Sequence, residues 1–440
     1  MMNNRYCITL CFVFFGMIAT AQNILTTDEA IKQALENNYG IKIANNSVEV
    51  AENNADILNS GYLPTLTGNA GASIDVQDTE GELANGETRV AEGAETRRYN
   101  ASINLNYTLF DGLGRYYNYK QLKEQYQLSQ LEARLTIENT MLELFSIYYS
   151  VAQLSENTAS LEETLNISKE RLTRAEYQFE YGQNTKLGVL NAEVDINTDS
   201  INLININQQL KNTKRDLNVV LGNAETANFS VDTTIMFPIL FNKSELYAKM
   251  LKNNVRLKQI EQNIKISDFT INSSKSGYLP TVGLQGSYGW NESSNNSPLA
   301  FTLQNTTTGF SGGVNLTWNL FDGGTTITRV KNAKIDLENQ ELQKEQILVD
   351  LNRNFNNAWD NYQNKLTIYR VQQENIKTAQ NNFNRTQEKF KLGQVTSIEY
   401  RQAQLNLVNA ELSKNQAKYD AKLAEITLLQ ISGELLNVKL

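Results

Sequence analysis

The chain repeats its own order of motifs, and this internal repetition constrains its fold more than any other feature of the sequence. Four landmarks of the first half return in the same order in the second half: Gly61-Tyr62-Leu63-Pro64-Thr65 as Gly277-Tyr278-Leu279-Pro280-Thr281, Leu109-Phe110-Asp111-Gly112 as Leu320-Phe321-Asp322-Gly323, Gly182-Gln183 as Gly393-Gln394, and Gly222 as Gly433. A shared order of motifs at near-constant spacing predicts two copies of one structural unit. We expect a first repeat over residues 22–224, a linker over 225–243 and a second repeat over 244–440.

Each repeat has the same predicted order of elements: one helix, a pair of strands, a very long helix and a shorter helix. The chain of 440 residues contains only 4 prolines, which favours long uninterrupted helices. The predicted helices cover residues 27–58, 111–179 and 188–221, and then 243–274, 322–390 and 398–429. At ~1.5 Å per residue the longest helix is ~100 Å, and the two shorter helices of a repeat match it end to end. Each repeat is therefore expected to supply two parallel rods.

Four segments alternate between apolar and polar residues, which predicts strands. The apolar positions are Leu66, Gly68, Ala70, Ala72 and Ile74, then Ala101, Ile103, Leu105, Tyr107 and Leu109, then Val282, Leu284, Gly286, Tyr288 and Trp290, and then Val314, Leu316, Trp318 and Leu320. Each segment has about 10 residues, enough for a tilted barrel strand to cross a bilayer. Aromatic residues near both ends favour a lipid-facing surface, and the polar segments 77–97 and 291–308 are expected to be long external loops. The alternative is a half-buried sheet over a soluble core, which has the same period.

Four strands cannot close a barrel alone, and open strand edges do not survive in lipid. Two copies would give eight strands with a filled interior, whereas three copies would give twelve strands with room for water. The expected fold class is therefore membrane α+β, a trimeric twelve-stranded transmembrane β-barrel with four strands per chain. The twelve rods of the three copies would continue this barrel as a long α-helical coiled coil.

The first residues have the pattern of a signal peptide. Arg5 supplies positive charge, residues 8–18 are apolar, and Ala19-Thr20-Ala21 is a small-residue cleavage site. We therefore predict a signal peptide over residues 1–21, against the alternative of a buried N-terminal helix. Both cysteines, Cys7 and Cys11, lie inside it, so the mature chain would contain no thiol.

The residues that most enzymes need are missing from the sequence. It contains 0 histidines and no Gly-x4-Gly-Lys-Ser/Thr motif for ATP. The spacing Asp195-x-Asn197-x-Asp199 is that of part of a calcium loop, but Ser200 and Ile206 replace the required Gly and Glu. The net charge is −8 with no basic stripe, which argues against nucleic acid. We expect no enzymatic activity, no cofactor and no metal site.

The repeated motifs resemble those of the TolC family of outer-membrane efflux proteins over nearly the whole mature length. The motifs that carry the resemblance are the twofold repeat, Gly61-Tyr62-Leu63-Pro64, Leu320-Phe321-Asp322-Gly323-Gly324, Tyr181-Gly182-Gln183 with Val189-Leu190-Asn191-Ala192, and Phe390, Gly393-Gln394, Ile398-Glu399-Tyr400 and Ala403. The resemblance implies a homotrimeric β-barrel in outer-membrane lipid joined to a helical periplasmic tunnel. It also implies partners, namely a periplasmic adaptor (membrane fusion) protein and an inner-membrane transporter of RND or ABC type.

The turns at Gly182 and Gly393 are predicted to form the periplasmic tip, because the long helix places them ~100 Å from the strands. The resemblance implies that this tip docks the adaptor. The matching residues are Tyr181, Gly182, Gln183, Thr185, Leu187, Phe390, Gly393, Gln394, Thr396 and Ile398. The alternative is a plain helical hairpin with Gly in a left-handed conformation.

Two further kinds of position complete the predicted site. The resemblance implies an acidic ring just past the turn, and Glu399 fits that position, although the first repeat has Gly188 there. A solvated surface glutamate is the alternative. Structural joints between strands and helices are predicted at Pro64, Asp111, Pro280 and Asp322, where the two carboxylates can cap the first helical N–H groups.

The function that we predict is a passive outer-membrane duct of a tripartite efflux or type I secretion system, exporting small toxic compounds or polypeptides. A periplasmic coiled-coil scaffold without transport activity is the main alternative. The adaptor of the same pump is a weaker one, because it is expected to have one helical hairpin, β-rich modules and a membrane anchor.

Overall fold

The computed structural model describes residues 24–223, 229–237, 241–297, 300 and 302–437. The predicted signal peptide over residues 1–21, with Cys7 and Cys11, lies outside the described residues. The same is true of residues 224–228 and 238–240, which belong to the predicted linker and the end of the first repeat.

The described chain consists of long helices and one main sheet. The helices are α1 (Thr27–Asn37), α2 (Tyr39–Asn54), α3 (Gly114–Glu180), α4 (Lys186–Leu221), α5 (Lys243–Asn253), α6 (Val255–Lys275), α7 (Thr325–Lys391) and α8 (Ser397–Ile431). The strands are β1 (Ile24–Leu25), β2 (Thr65–Glu82), β3 (Thr88–Asp111), β4 (Ser230–Val231), β5 (Thr281–Asn295) and β6 (Gln304–Thr317). The long helices α3 and α7 have 67 residues each, which makes each of them ~100 Å long. Both halves of the chain show the same order of main elements.

The prediction of one continuous helix at the start of each half is wrong. The first helix breaks at Asn38, where ψ is 126°, and the second breaks at Asn254 with the same ψ. Each asparagine begins a new helix, because its side-chain oxygen accepts a hydrogen bond from the N–H of Ile41 (3.2 Å) or Leu257 (3.2 Å). A side-chain cap that competes with the helical backbone is a short-range signal that apolar periodicity does not report.

The same two breaks are tied to the far ends of α4 and α8. The amide of Asn38 donates to the carbonyl of Val220 (2.9 Å), and the amide of Asn254 donates to the carbonyl of Ile431 (3.0 Å). Gly222 follows α4 with φ of 70°, and a Cβ there would lie 2.6 Å from the carbonyl oxygen of Asn37. This close approach and the left-handed backbone explain why glycine stands at this landmark of the repeat.

The main sheet has the order β2-β3-β5-β6, and all its pairs are antiparallel. The first hairpin is longer than predicted, since pairing continues up to Glu82 and Thr88 and only a short turn joins β2 to β3. The predicted loop over residues 77–97 is therefore mostly strand. Backbone pairing needs no apolar side chains, so the polar composition of this hairpin concealed it. At the other end β6 stops at Thr317, so the prediction of strand through Trp318 and Leu320 is wrong.

The helical core lies midway along the rods. One buried cluster contains Tyr148 of α3, Leu217 of α4 and Ile426 of α8, and a second contains Met250 of α5 and Phe355 of α7. Within the described residues, no helix is both long enough and apolar enough to span a membrane.

The described part of the predicted linker lies against this core and is held both by backbone hydrogen bonds and by buried side chains. Strand β4 pairs with β1 in parallel, and the Tyr148 hydroxyl donates to the carbonyl of Leu25 (2.8 Å). Lys418 and Lys422 of α8 donate to the carbonyls of Thr233 (2.8 Å) and Met236 (3.4 Å). The buried side chains of Phe229 and Val231 add to this attachment, because they belong to the same core cluster as Tyr148.

Candidate functional site

One face of the main sheet is apolar across all four strands. The register places Leu66 of β2 beside Leu105 of β3, and Tyr288 of β5 beside Phe310 of β6. Leu66 is 70% exposed and Phe310 is 78% exposed. Ile103, Val314 and Leu316 are exposed on the same face. An apolar surface of this extent marks an interaction with a membrane or with another protein.

The opposite face carries small and polar side chains. Ser287 of β5 donates to the side-chain oxygen of Asn104 on β3 (2.8 Å), and Asn104 donates to Ser102 (3.1 Å). The amide oxygen of Asn315 lies 2.7 Å from the position that a Cβ on Gly283 would take. Hydrogen-bonding groups spread over this face suit contact with water.

The two outer strands of the sheet each have one paired neighbour in the described chain. Strand β2 pairs with β3, and β6 pairs with β5. The free edges of β2 and β6 present unpaired N–H and C=O groups along most of their length. Such edges need a partner strand if the sheet lies in lipid, because hydrocarbon offers no hydrogen bonds.

The predicted joints lie where the sheet meets the rods. Pro64 and Pro280 stand directly before β2 and β5. The carboxylate of Asp111 accepts from the N–H of Arg115 (2.9 Å) and from its side chain (3.2 Å), and Arg115 donates onward to the carbonyl of Gly61 (3.0 Å). These bonds tie the start of α3 to the residues that precede β2.

Asp322 plays the equivalent part in the second half. Its carboxylate accepts from the N–H of Thr326 (2.8 Å), from the Thr326 hydroxyl (2.5 Å) and from the N–H of Gly324 (3.0 Å). These hydrogen bonds, led by the one from the Thr326 side chain, hold the pKa of Asp322 below its usual value. The charged carboxylate therefore stabilises the start of α7.

The two turns at the other end of the rods share one geometry. Gly182 has φ of 71° and Gly393 has φ of 72°. After each glycine the next N–H reaches back into the preceding helix, from Gln183 to the carbonyl of Gln178 (2.7 Å) and from Gln394 to that of Lys389 (2.8 Å). This is the Schellman arrangement that closes a helix with glycine.

Both turns expose large apolar side chains. Tyr181 is 75% exposed, Leu187 is 65% exposed and Ile398 is 75% exposed. Leu187 and Ile398 line one groove of about 450 Å³ between α4 and α8, together with Thr185 and Thr396. The structure thus brings four of the predicted tip residues together.

The remaining predicted tip residues lie elsewhere. Tyr181 and Gln183 line a second groove of about 470 Å³ on α3, and Gly182, Gly393 and Gln394 are exposed at the turns. Phe390 is only half-buried, because its ring stacks on Tyr400 at 4.6 Å. The guanidinium of Arg174, near the end of α3, lies over the Phe390 ring (5.1 Å) and donates to the carbonyl of Lys391 (2.8 Å) at the end of α7. These contacts connect the helix ends that lead into the two turns.

Glu399 forms a capping box at the start of α8. Its Oε2 accepts from the N–H (2.7 Å) and the hydroxyl (2.9 Å) of Thr396, and the Thr396 hydroxyl accepts from the N–H of Glu399 (3.2 Å). The hydrogen bond from the Thr396 N–H is the main reason that the pKa of Glu399 lies below its usual value. The side chain is exposed and stays ionised at neutral pH.

A buried ionic network just above the tip was missed at the level of sequence. Arg401 of α8 donates through two nitrogens to Asp199 of α4 (2.8 Å each), and Arg171 of α3 pairs with Asp195 of α4. Ser168 of α3 donates to Asp199 (2.6 Å). The spacing of Asp195 and Asp199 puts both carboxylates on one face of a helix, but nothing in the sequence identifies their partners on other helices.

Comparison with known proteins decides the family. The family model described as "Outer membrane efflux protein" matches residues 30–223 and 246–434. The chain belongs to the outer membrane efflux protein family. The predicted resemblance is confirmed, and so is the prediction that the protein resides in the outer membrane. The family consists of efflux proteins and not of enzymes.

Individual members of the outer membrane efflux protein family match over most of their length. The chain is 22% identical to outer membrane efflux protein BepC of Brucella suis, over 96% of this chain and 88% of that protein. It is 22% identical to outer membrane protein TolC of Vibrio cholerae, over 72% of this chain and 71% of that protein. The crystal structure of the Campylobacter jejuni CmeC outer membrane channel superposes with a TM-score of 0.77 at 17% identity, covering 93% of this chain and 86% of that one. The combination of long helices and sheet is therefore the fold of a known outer-membrane channel.

Proposed function

We propose that the protein is a passive duct through the outer membrane, built as a homotrimer. Three sheets would join edge to edge into a barrel of twelve strands, and the rods would continue it as a periplasmic tunnel. The single observation that carries this proposal is a sheet with one apolar face, one polar face and two edges that no strand of the described residues pairs with. The apolar face suits lipid, the polar face suits a water-filled lumen, and the edges require further copies.

The division of the chain follows from the same architecture. We assign residues 22–224 to a first structural repeat, 225–243 to a linker and 244–440 to a second repeat. Each repeat would contribute two strands and two rods to the assembly. The matching order of β2-β3-α3-α4 and β5-β6-α7-α8 supports this division.

The duct itself needs no energy source, and the sequence contains no ATP-binding motif of the Walker type. The driving force would come from an inner-membrane transporter of RND or ABC type, coupled through a periplasmic adaptor. The cargo would be small toxic compounds or polypeptides. The alternative predicted from the sequence is a soluble periplasmic scaffold. It does not explain why the sheet exposes an apolar face, or why the chain belongs to a family of outer membrane proteins.

The adaptor would dock at the tip. Exposed apolar side chains at both turns support this part of the proposal. Leu187 and Ile398 lie in one groove and are exposed to water, and such an apolar patch marks a site of contact with another protein. A helix or helical hairpin of the adaptor would lay its apolar face over these two side chains in the groove between α4 and α8. Tyr181 would extend the same contact around α3.

A ring of three Glu399 carboxylates at the mouth would favour cations. The lowered pKa of Glu399 supports a full charge there at neutral pH. The test is Glu399→Gln, which keeps the capping box but removes the charge. Glu388→Gln, at an exposed carboxylate near the same turn, is the matched control. We expect cation selectivity to fall in the first variant alone, and an unchanged selectivity would rule the ring out.

Conductance tests the duct directly. The full-length protein, purified from outer membranes in detergent, should run with the mass of three chains and insert into planar bilayers as a water-filled channel. Steps of current that require no ATP and no second protein would support the duct. A monomer without conductance would refute it.

A further inference from the structure

The apolar face of the sheet contains a concavity of about 590 Å³. Its floor is formed by Gly286 of β5 and Gly312 of β6, which are direct partners in the register. Large apolar residues flank this pair of glycines, two positions away along each strand. They are Tyr288 and Phe310 on one side, and Leu284 and Val314 on the other. The two glycines leave the floor between these rows without side chains of its own, and the Phe310 ring leans over part of it, 3.3 Å from the position that a Cβ on Gly312 would take and 3.9 Å from that on Gly286.

The groove lies in the middle of the apolar band. On β5 the lipid-side positions are apolar from Val282 to Trp290, and the polar Glu292 follows. Gly286 stands midway, ~13 Å along the strand from each end of that band. Leu105 of β3 pairs with Gly286 and closes the groove at its inner end.

Another strand cannot occupy this place. Gly286 is already paired on both sides, with Leu105 and with Gly312, so it offers no backbone hydrogen bonds to a further strand, and the outer edge of Gly312 would pair with the neighbouring copy in the proposed trimer. The described residues that line the concavity include no charged side chain. An occupant must therefore be apolar, flexible and narrow.

We propose that this groove holds one acyl chain of a phospholipid from the periplasmic leaflet of the outer membrane. The inference rests on the proposed transmembrane sheet, whose lipid interface is continuous with the groove. The side toward the external loops is closed by the two aromatic residues, and the Phe310 ring lies 3.3 Å from the position that a Cβ on Gly312 would take. The side toward the periplasm is bounded by the shorter Leu284 and Val314. A chain can thus enter from the periplasmic side and end against the Phe310 ring.

Packing drives this association. The hydrophobic effect does not drive apolar groups together inside hydrocarbon, so van der Waals packing and complementary shape determine which lipid chains stay bound to the protein. If the groove were left unfilled, the residues that line it would lose dispersion contacts. Barrel strands tilt by ~35–45°, so a chain that follows them from Leu284 and Val314 to the Phe310 ring runs obliquely to the membrane normal.

The test uses the full-length protein in liposomes of phosphatidylethanolamine and phosphatidylglycerol. A trace of phosphatidylglycerol with a diazirine in its acyl chain is cross-linked by light, and the adducts are mapped by peptide mass spectrometry. In the wild-type protein the adducts should concentrate at Leu284, Tyr288, Phe310 and Val314. Gly286→Leu should lower labelling there several-fold, because its side chain fills the floor. A Cβ at this position meets only ordinary contacts, the nearest at 3.7 Å from Leu105.

Gly309→Leu is the matched control. It adds the same side chain to β6 on the opposite face, where nothing lies within 4 Å of its Cβ, and it should leave the labelling pattern unchanged. Uniform labelling along every strand, or equal labelling in the wild-type protein and Gly286→Leu, would overturn the groove while leaving the duct intact. Complete absence of adducts on the strands would overturn the transmembrane sheet and the groove together. Single-channel conductance of Gly286→Leu, expected to equal that of the wild-type protein, separates the two failures.

Discussion

Replacing Arg401 by methionine should loosen the tip without affecting the rest of the rods. The substitution keeps an unbranched apolar stem but removes the guanidinium that binds Asp199 through two nitrogens at 2.8 Å. The side chain of Asp199 is only 5% exposed and that of Arg401 only 11%, so water cannot replace the lost partner. Breaking a buried ion pair from one side costs about 3–5 kcal/mol.

We expect the lower end of that range, about 3 kcal/mol, because Asp199 keeps the hydroxyl donor of Ser168 (2.6 Å). Hydrogen exchange of the folded protein measures the effect, because backbone amides exchange through local opening. Amides of residues 195–203 and 401–408 should exchange about a hundredfold faster. Amides of residues 424–431, in the central core, should be unchanged.

A double variant separates the ion pair from packing. Arg401→Met combined with Asp199→Leu leaves neither charge buried and should restore most of the protection. Lys391→Met, which removes an exposed partner of Glu388 close to the same tip, should change protection by less than about 1 kcal/mol. Unchanged exchange in Arg401→Met, or simple additivity in the double variant, would refute the reasoning.

Three other perturbations test separate parts of the structure. Gly182→Pro or Gly393→Pro should abolish efflux while trimers remain in the membrane, because proline cannot adopt φ near 70°; unchanged drug resistance with intact trimers would contradict adaptor docking there. Gly222→Ala should sharply reduce the yield of folded protein, because its Cβ would lie 2.6 Å from the carbonyl oxygen of Asn37. A yield equal to that of the wild type would show that the backbone at Asn37 can move to accommodate the Cβ. The pKa of Asp322 is lowered in the folded state, so its stabilising effect is present above its ordinary pKa of about 4 and is lost as the pH falls below it. Thermal melts should therefore differ between wild type and Asp322→Asn at pH 7 and converge in acid, and a constant difference would contradict this assignment.

The long rods could be predicted from the sequence because each depends on many residues that agree with one another. The helices α3, α4, α7 and α8 begin and end within a few residues of their predicted bounds, since glycine and capping threonine mark the turns. The repeated motifs indicated the periplasmic turns for the same reason. Helix caps and turn glycines can be recognised from a few consecutive residues, without knowledge of contacts elsewhere in the chain.

The features that escaped prediction depend on contacts between distant parts of the chain. The break at Asn38 is stabilised by Val220, far away in sequence, and the network around Arg401 joins three helices. The extended hairpin between Gln77 and Arg97 is paired through its backbone, which side-chain alternation does not report. The exposed faces at the tip likewise follow from how α4 and α8 lie together.

Cysteine accessibility along β3 tests the central claim most directly. Single cysteines at residues 100–107, expressed in cells with intact outer membranes, would be treated with a charged maleimide that enters water but not lipid. The lumen hypothesis predicts that only one parity reacts, namely Asn100, Ser102, Asn104 and Asn106, while Ala101, Ile103, Leu105 and Tyr107 stay unlabelled. Equal labelling of both parities, or recovery of the labelled protein in the soluble periplasmic fraction, would contradict a sheet that separates water from lipid.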